Sequence, residues 1–395
     1  MKAVILAAGE GIRMNPLTHA RSKVMLRIAN KPLIEHLLIA TNLAGISDFI
    51  FVVGYRDNQV RDYFMDGNKW GVHIEYILQS HPKGTADALG KVKDLVDDCF
   101  LVMNGDVLTS SEDLSRLIKG NGHILAVKEM DNLNGLGTIE IRDEKVIRIH
   151  EKTESPPTNL ANAGFYRLTS EIFDAISQTP LSPRGEYELT DSLQILINQG
   201  KEINFQKLDA WFNFTYPWDL IDANRIFIPQ GENNHGIIEK YVSIEGPYTI
   251  GGGTRIRSGS YIIGPVIIGN NCDIGPNCFV RPATAIGDNC HIGASVEIKN
   301  SIIMRGTKIP HHNYVGDSVI GENCNFGAGT KIANLRFDHK CINDSKRQKL
   351  GALMGDNVST GINSCIDAGT LIGDNTIIGP GAIARGNISP NSKIF

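Results

Sequence analysis

Two different spacings of apolar residues divide this chain. Up to about Pro229, short β-rich apolar runs alternate with helical patterns. Val4–Ala8, Phe49–Val53, Ile74–Leu78 and Cys99–Met103 are such runs. Between the first two lies Leu33–Gly45, with apolar residues at helical spacing and a glycine suited to a helix C-terminus. The alternation predicts a mostly parallel, doubly wound sheet with helices on both faces. Ligands of such sheets sit beyond the carboxyl ends of strands, so the loops after Ala8 and Met103 are prime positions.

Residues 229–237 are polar and turn-rich and read as a linker. Beyond them the period becomes six. Every sixth position from 238 to 304 is Ile, Val or Met, often followed by Gly. The phase is lost near 308–317, returns at Ile320, Phe326 and Ile332, and returns again at Ile366, Ile372 and Ile378. A six-residue repeat is the mark of a parallel β-helix: each hexad is one short strand and a turn, and three make one triangular coil. No coil buries its apolar face alone, so stacking stabilises the array. Cys272, Cys278, Cys290 and Cys324 fall at the fifth place of their hexads and read as small inward-facing packing residues.

A length of 395 residues favours two domains. The formal net charge of -4 supplies no field to gather nucleic acid. No apolar run approaches the ~20 residues of a membrane span, and the N-terminus reads as a strand rather than a signal peptide. The seven cysteines include no C-x-x-C pair, so they read as reduced thiols rather than a zinc knuckle or disulfides. A soluble cytoplasmic protein is expected.

The first apolar run meets a loop containing Gly9, Gly11 and Arg13, with Lys23 ten residues further on. A glycine loop lets backbone N–H groups close around phosphate oxygens, and Arg13 adds a fixed cationic fork. Met14 replaces the third glycine of a dinucleotide fingerprint, which argues against that ligand. The string L-A-A-G-x-G-x-R-M-x-P-L-T-x-x-R-x-K resembles the signature of sugar-1-phosphate nucleotidylyltransferases. The resemblance implies that Leu6, Ala8, Gly9, Arg13 and Lys23 hold a nucleoside triphosphate. Gln79, Gly84 and Thr85 resemble the base-reading loop, where an amide matches the O4 and N3–H edge of UTP or dTTP. Asp106, after the strand 99–103, and Asn213, in Trp211-Phe212-Asn213, correspond to the family's Mg²⁺ ligands. Gly137, Glu151, Lys152 and Asn162 resemble its sugar-phosphate pocket. The implied chemistry is in-line attack of a sugar phosphate on the α-phosphorus with loss of pyrophosphate.

The break in the hexads contains His311 and His312. His311-x-x-Tyr314-Val-Gly-Asp317, Asn325-Phe-Gly and Ile332-Ala-Asn334 resemble the acetyltransferase half of the bacterial bifunctional enzyme that makes UDP-N-acetylglucosamine. Arg281 and Lys299 match upstream at the same separation. The resemblance makes His311 the base that deprotonates an amino sugar for attack on acetyl-CoA. It has Arg281 and Lys299 bind the sugar phosphate, and Tyr314, Asn325 and Asn334 line the sugar. The basic run Lys346–Lys349 reads either as a contact for CoA phosphates or as a solvated loop. Asn334–Lys340 departs from the bacterial pattern toward archaeal relatives, which leaves glucosamine and galactosamine 1-phosphate both open.

The expectation is thus a Rossmann-like α/β nucleotidylyltransferase domain (1–228), a linker (229–237) and a left-handed parallel β-helix (238–395), with a homotrimer implied by resemblance. Two alternatives stand beside the bifunctional enzyme. One is a monofunctional thymidylyl- or uridylyltransferase with a purely structural β-helix. The other is a non-catalytic regulatory subunit, which predicts loss of Arg13, Lys23 or Asp106; all are present.

Overall fold

The computed structural model describes residues 1–133, 135–151 and 157–395. They form two compact units. One comprises Met1–Glu10, Ser22–Met25 and Leu33–Asn213; the other comprises Gly11–Arg21, Leu26–Pro32 and Phe214–Phe395.

In the first unit the strand Ala3–Ala7 is central. It pairs in parallel with Asp48–Val53 on one side and Cys99–Asn104 on the other, and His73–Leu78 extends the first side. All four lie within one residue of the apolar runs that predict them; the three inner strands are buried on both faces and so read as continuous hydrophobic sequence, while His73–Leu78 is the partly exposed edge. The helix covers Leu33–Leu43, and Gly45 follows at φ +104°. The chain adds strands first on one side of Ala3–Ala7 and then on the other. The switch point therefore lies between Ala3–Ala7 and Cys99–Asn104, where Gly105 N–H donates to Leu6 O at 2.9 Å.

Beyond Cys99–Asn104 the sheet departs from the parallel expectation. Leu160–Thr169 pairs antiparallel with it and with His123–Glu129. Thr138–Arg142 and Lys145–His150 form a hairpin at the edge. Its turn holds Asp143 and Glu144 at positive φ. Neither residue is the Asn or Gly that would announce such a turn, so the hairpin has no clear sequence signal.

The second unit is built on a left-handed parallel β-helix. Its three faces are columns of stacked aliphatics. Ile250, Ile268 and Ile286 begin one; Ile256, Ile274 and Ile292 a second; Ile262, Val280 and Ile298 the third. All nine are at most 1% exposed. The first coil starts at Glu232–Asn234, which pairs with Tyr248–Ile250.

The six-residue count overshoots at its last member. Ile303, not Met304, stands in register with Ile286. The corner between Ile298 and Ile303 has lost one residue. The corner between Val315 and Ile320 has lost another, since Ile303 pairs with Ile320. The irregularity thus falls at two corners, one before 308–317 and one beginning at its end, and each shortened corner carries polar residues. A longer excursion, 335–349, leaves the coil after Ile332 and returns before Leu353–Met354.

Corners need left-handed backbone, and Asn supplies much of it: Asn271, Asn289, Asn323 and Asn357 all have φ of 54–58°. His312 fills such a corner at φ 53°. The four hexad cysteines are buried free thiols. Their sulfurs donate to carbonyls of the following coil, as Cys278 does to Gly293 O at 2.8 Å. Burial raises the Cys278 thiol to about 11 and the Cys324 thiol to about 12.

The helix Asp219–Phe227 belongs to this unit. Asn224, 1% exposed, donates to Ala283 O at 2.9 Å and accepts from Ala29 N–H at 2.8 Å. Arg21 is also buried here. It pairs with Asp356 and lies 3.8 Å from Glu322. No helix among the described residues is long and apolar enough to cross a membrane.

Candidate active sites

At the switch point of the first unit, Lys23 and Asp106 form an ion pair. Lys23 sits on the 3-10 turn Lys23–Met25 and is 9% exposed. Asp106 follows the strand Cys99–Asn104, with more than a third of its side chain open to solvent. The short strand Phe212–Asn213 pairs antiparallel with Val107–Leu108, setting Asn213 opposite Val107. The two residues predicted to hold metal, far apart in sequence, are therefore neighbours. A carboxylate and an amide are hard oxygen donors, and two protein ligands leave positions for phosphate oxygens and water, which fits Mg²⁺. Among the described residues no group of three or more His, Cys, Asp or Glu side chains converges on a metal position.

Sequence reasoning missed what holds Asn213 in place. Trp211 donates its indole N–H to Ala163 O at 2.9 Å. Asp113, 0% exposed, accepts from Asp209 and Ala210 N–H at 3.0 Å each and from Thr109 and Ser110 hydroxyls at 3.1 Å each. Burial pushes its carboxyl upward, but those hydrogen bonds outweigh it and hold the group below its ordinary value.

Gln79 is 4% exposed at the end of the strand His73–Leu78. Its Nε2 donates to Asp87 Oδ2 at 2.8 Å and to Gly84 O at 3.1 Å. Both amide hydrogens are committed, because a carboxylate and a carbonyl can only accept. The group left to read a base is therefore the Oε1 acceptor alone, where the sequence suggests a donor–acceptor pair. Gly84 lies at φ +110°, and a Cβ there would sit 2.4 Å from Tyr187 O. Thr85 Oγ1 accepts from Leu189 N–H at 2.9 Å, so the segment 187–189 backs the loop.

Gly137, Glu151 and Asn162 come together. A Cβ on Gly137 would approach Glu151 Oε2 to 3.1 Å and Asn162 Cβ to 3.7 Å. Asn162 donates to Tyr166 OH at 2.8 Å and accepts from Gly164 N–H at 3.1 Å. Glu151 accepts from Arg184 at 3.0 Å and Thr190 at 3.3 Å. Lys152 lies outside the described residues. Leu6 ends in the central strand, and Ala8 and Gly9 follow it. Arg13 is exposed on the turn Ile12–Met14, which follows Gly11 at φ 71° and clusters with the second unit.

On the β-helix, Arg281 and Lys299 occupy equivalent positions on successive coils. Arg281 pairs with Glu297 at 2.9 Å and lies over the Phe279 ring at 5.5 Å. Lys299 pairs at 3.1 Å with Asp317, itself 4% exposed. Asp317 also accepts from Asn300 Nδ2 at 2.6 Å and from Asn334 Nδ2, which reaches Tyr314 OH at 3.3 Å. Lys299, Tyr314 and Asn334 thus form one cluster with Asp317 at its centre. The two shortened corners put Asn300 and Asp317 side by side; the loss of phase was the signal available for both. Arg281, Lys299 and Asn300 line a cavity of about 310 Å³.

His311, three residues before Tyr314, and Asn325 stand outside the hydrogen bonds of that cluster. Both are exposed, His311 just after the strand Lys308–Ile309 and Asn325 on that same face. His312 is the corner residue, and its carbonyl accepts from Lys331. Of the basic run, Arg347 is committed to Asp222.

Comparison with known proteins bears on both units. A family model described as nucleotidyl transferase matches residues 2–228, and one described as the GMPPB C-terminal domain matches 262–360. The chain is 40% identical to the "Bifunctional protein GlmU" of Methanocaldococcus jannaschii, over 100% of its own length and 97% of the relative's. It is 39% identical to the "Bifunctional sugar-1-phosphate nucleotidylyltransferase/acetyltransferase" of Sulfurisphaera tokodaii, over 98% of each chain. A crystal structure from Bacillus anthracis carrying the name glucose-1-phosphate thymidylyltransferase is 27% identical with a TM-score of 0.53, covering 57% of this chain and 94% of that one. The fold of the first unit is that of a nucleotidyl transferase. The chain belongs to that family and, over its whole length, to the bifunctional GlmU proteins.

Proposed function

We propose that this enzyme carries out two successive steps of UDP-N-acetylglucosamine synthesis, N-acetylation of an amino-sugar 1-phosphate by acetyl-CoA and then uridylyl transfer to the product from UTP. The observation that carries the proposal is that one chain, matched end to end by bifunctional relatives, holds two separate polar clusters. One is Lys23, Asp106 and Asn213; the other is Lys299, Tyr314, Asn334 and Asp317.

In the transferase site the Gln79 acceptor takes the N3–H of a pyrimidine base, and Glu151 and Asn162 bind sugar hydroxyls across Gly137. Mg²⁺ held by Asp106 and Asn213 would supply charge to the polyphosphate. Lys23, released from Asp106, then meets phosphate oxygens. These cations stabilise charge on the departing pyrophosphate, and no covalent enzyme intermediate is needed.

In the acetyltransferase site Arg281 and Lys299 bind the sugar phosphate, Tyr314 and Asn334 line the sugar, and His311 accepts the ammonium proton. Asn325 lies on another face from that cluster, and His311 in the corner that precedes Tyr314. This favours a site completed by a second copy of the chain, and hence a homotrimer. The exposed aliphatics Ile362, Ile377 and Ile383 suit burial between copies. Both co-substrates and the free thiols suit a cytoplasmic enzyme.

The test follows thiol release from acetyl-CoA with glucosamine or galactosamine 1-phosphate, alongside pyrophosphate release from UTP or dTTP. Pyrophosphate release without thiol release would reduce the β-helix to a scaffold.

A further inference from the structure

The cavity between the first shortened corner and the helix Asp219–Phe227 is lined by three cations: Arg281, Lys299 and Arg225. Two of them already have carboxylate partners, Glu297 at 2.9 Å and Asp317 at 3.1 Å. Arg225 makes no ion pair among the described residues, so it carries the cavity's uncompensated charge. Beside it, Asn300 is 8% exposed, and its Oδ1 has no hydrogen-bond partner. Its Nδ2 is spent on Asp317, so the free atom is an acceptor. A cavity with an unpaired guanidinium and an unpaired acceptor suits a ligand bearing both a phosphate and a hydroxyl or amine donor. Its volume, about 310 Å³, is of the size that takes small ligands.

We infer that Arg225, outside the β-helix coils, binds the phosphate of the amino-sugar 1-phosphate, while Asn300 Oδ1 accepts a hydrogen bond from the sugar. The inference rests on the acetyltransferase reading above and adds two residues to it. The placement of Arg225 is built, not incidental. Its neighbour Asn224 is buried and ties the helix to Ala283, whose side of the corner also lines the cavity. Asp222, one turn earlier, is held by Arg347. The guanidinium fork adds what Lys299 lacks, a planar pair of donors for two phosphate oxygens.

The experiment compares the full chain with Arg225→Ala and Arg225→Lys. Acetyl transfer is followed with glucosamine 1-phosphate varied, then with glucosamine, which has no phosphate. Arg225→Ala should raise KM for glucosamine 1-phosphate roughly ten- to hundredfold, the cost of a charged hydrogen-bonded pair. It should leave KM for acetyl-CoA, turnover of glucosamine and pyrophosphate release unchanged, and Arg225→Lys should recover part of the loss. An unchanged KM, or equal losses with glucosamine and its phosphate, overturns the inference. If the wild-type chain acetylates nothing, the acetyltransferase reading itself fails. Calorimetric binding of glucosamine 1-phosphate then decides, in a Glu151→Ala background that closes the other sugar site. Binding that Arg225→Ala removes sustains the phosphate pocket; binding that survives, or no binding in the parent, overturns it.

Discussion

In the proposed transferase site, single side chains divide into those that would meet substrate or metal and those already spent on the protein. Asp106 is of the first kind. Asp106→Ala should lower kcat/KM for pyrophosphate release roughly a hundred- to thousandfold, the usual cost of losing preorganised electrostatics. Gln79 is of both kinds. Its nitrogen is fixed by Asp87 and Gly84, which orients its oxygen. Asp87→Ala should therefore raise KM for UTP, measured at saturating sugar phosphate, although Asp87 itself meets no base. An unchanged KM would show that the amide needs no such anchor. The candidate residues could be named from sequence because phosphate, metal and base chemistry each demand few side-chain types, and the structure brings the segments of Asp106 and Asn213 together, as it does Gly137, Glu151 and Asn162. Partners could not: Asp113 and Arg184 come from segments distant from the residues they hold, and an ordinary Asp or Arg carries no label for the contact it makes. Nor could sequence show that Gln79 has no donor to spare.

At the level of elements, Asp113 joins the start of the helix Ser111–Lys119 to the segment that leads into Asn213. Its folded carboxyl lies below its unfolded value of about 3.9. The stabilisation it gives is complete above that pH and is lost as pH falls through the lower folded value. Asp113→Asn should thus cost about 1–3 kcal/mol near neutrality and flatten the fall in stability between neutral pH and pH 3, read by thermal unfolding at several pH values. An acid limb as steep as in the wild type would assign acid sensitivity to other groups. On the β-helix, Ile298→Ala should cost about 2–5 kcal/mol, since stacked coils leave little room to collapse around a cavity. Strands and coils were readable because continuous apolar runs and a six-residue period each specify one geometry. The edge hairpin, the two deleted corner residues and the docking of Asp219–Phe227 on the coils were not, since each depends on tertiary contact. The last matters most for chemistry, because a sequence boundary at 228 separates Arg225 from the cavity it lines.

The whole molecule joins a doubly wound nucleotidyl transferase to a stacked β-helix in one chain. The second unit takes in Gly11–Arg21 as well, with Arg21 buried against Asp356. Arg21→Ala leaves the Asp356 carboxylate without its cation, a loss of about 3–5 kcal/mol for a buried pair, and should lower the thermal midpoint of the full chain. An unchanged midpoint would deny the pair a structural role. The central claim, however, is that two independent chemistries share this chain, and paired assays of His311→Ala and Asp106→Ala test it most directly. Measured as folded proteins of native oligomeric state, His311→Ala should lose thiol release from acetyl-CoA and keep pyrophosphate release, and Asp106→Ala should do the reverse. Equal loss of both activities in either variant would contradict the account.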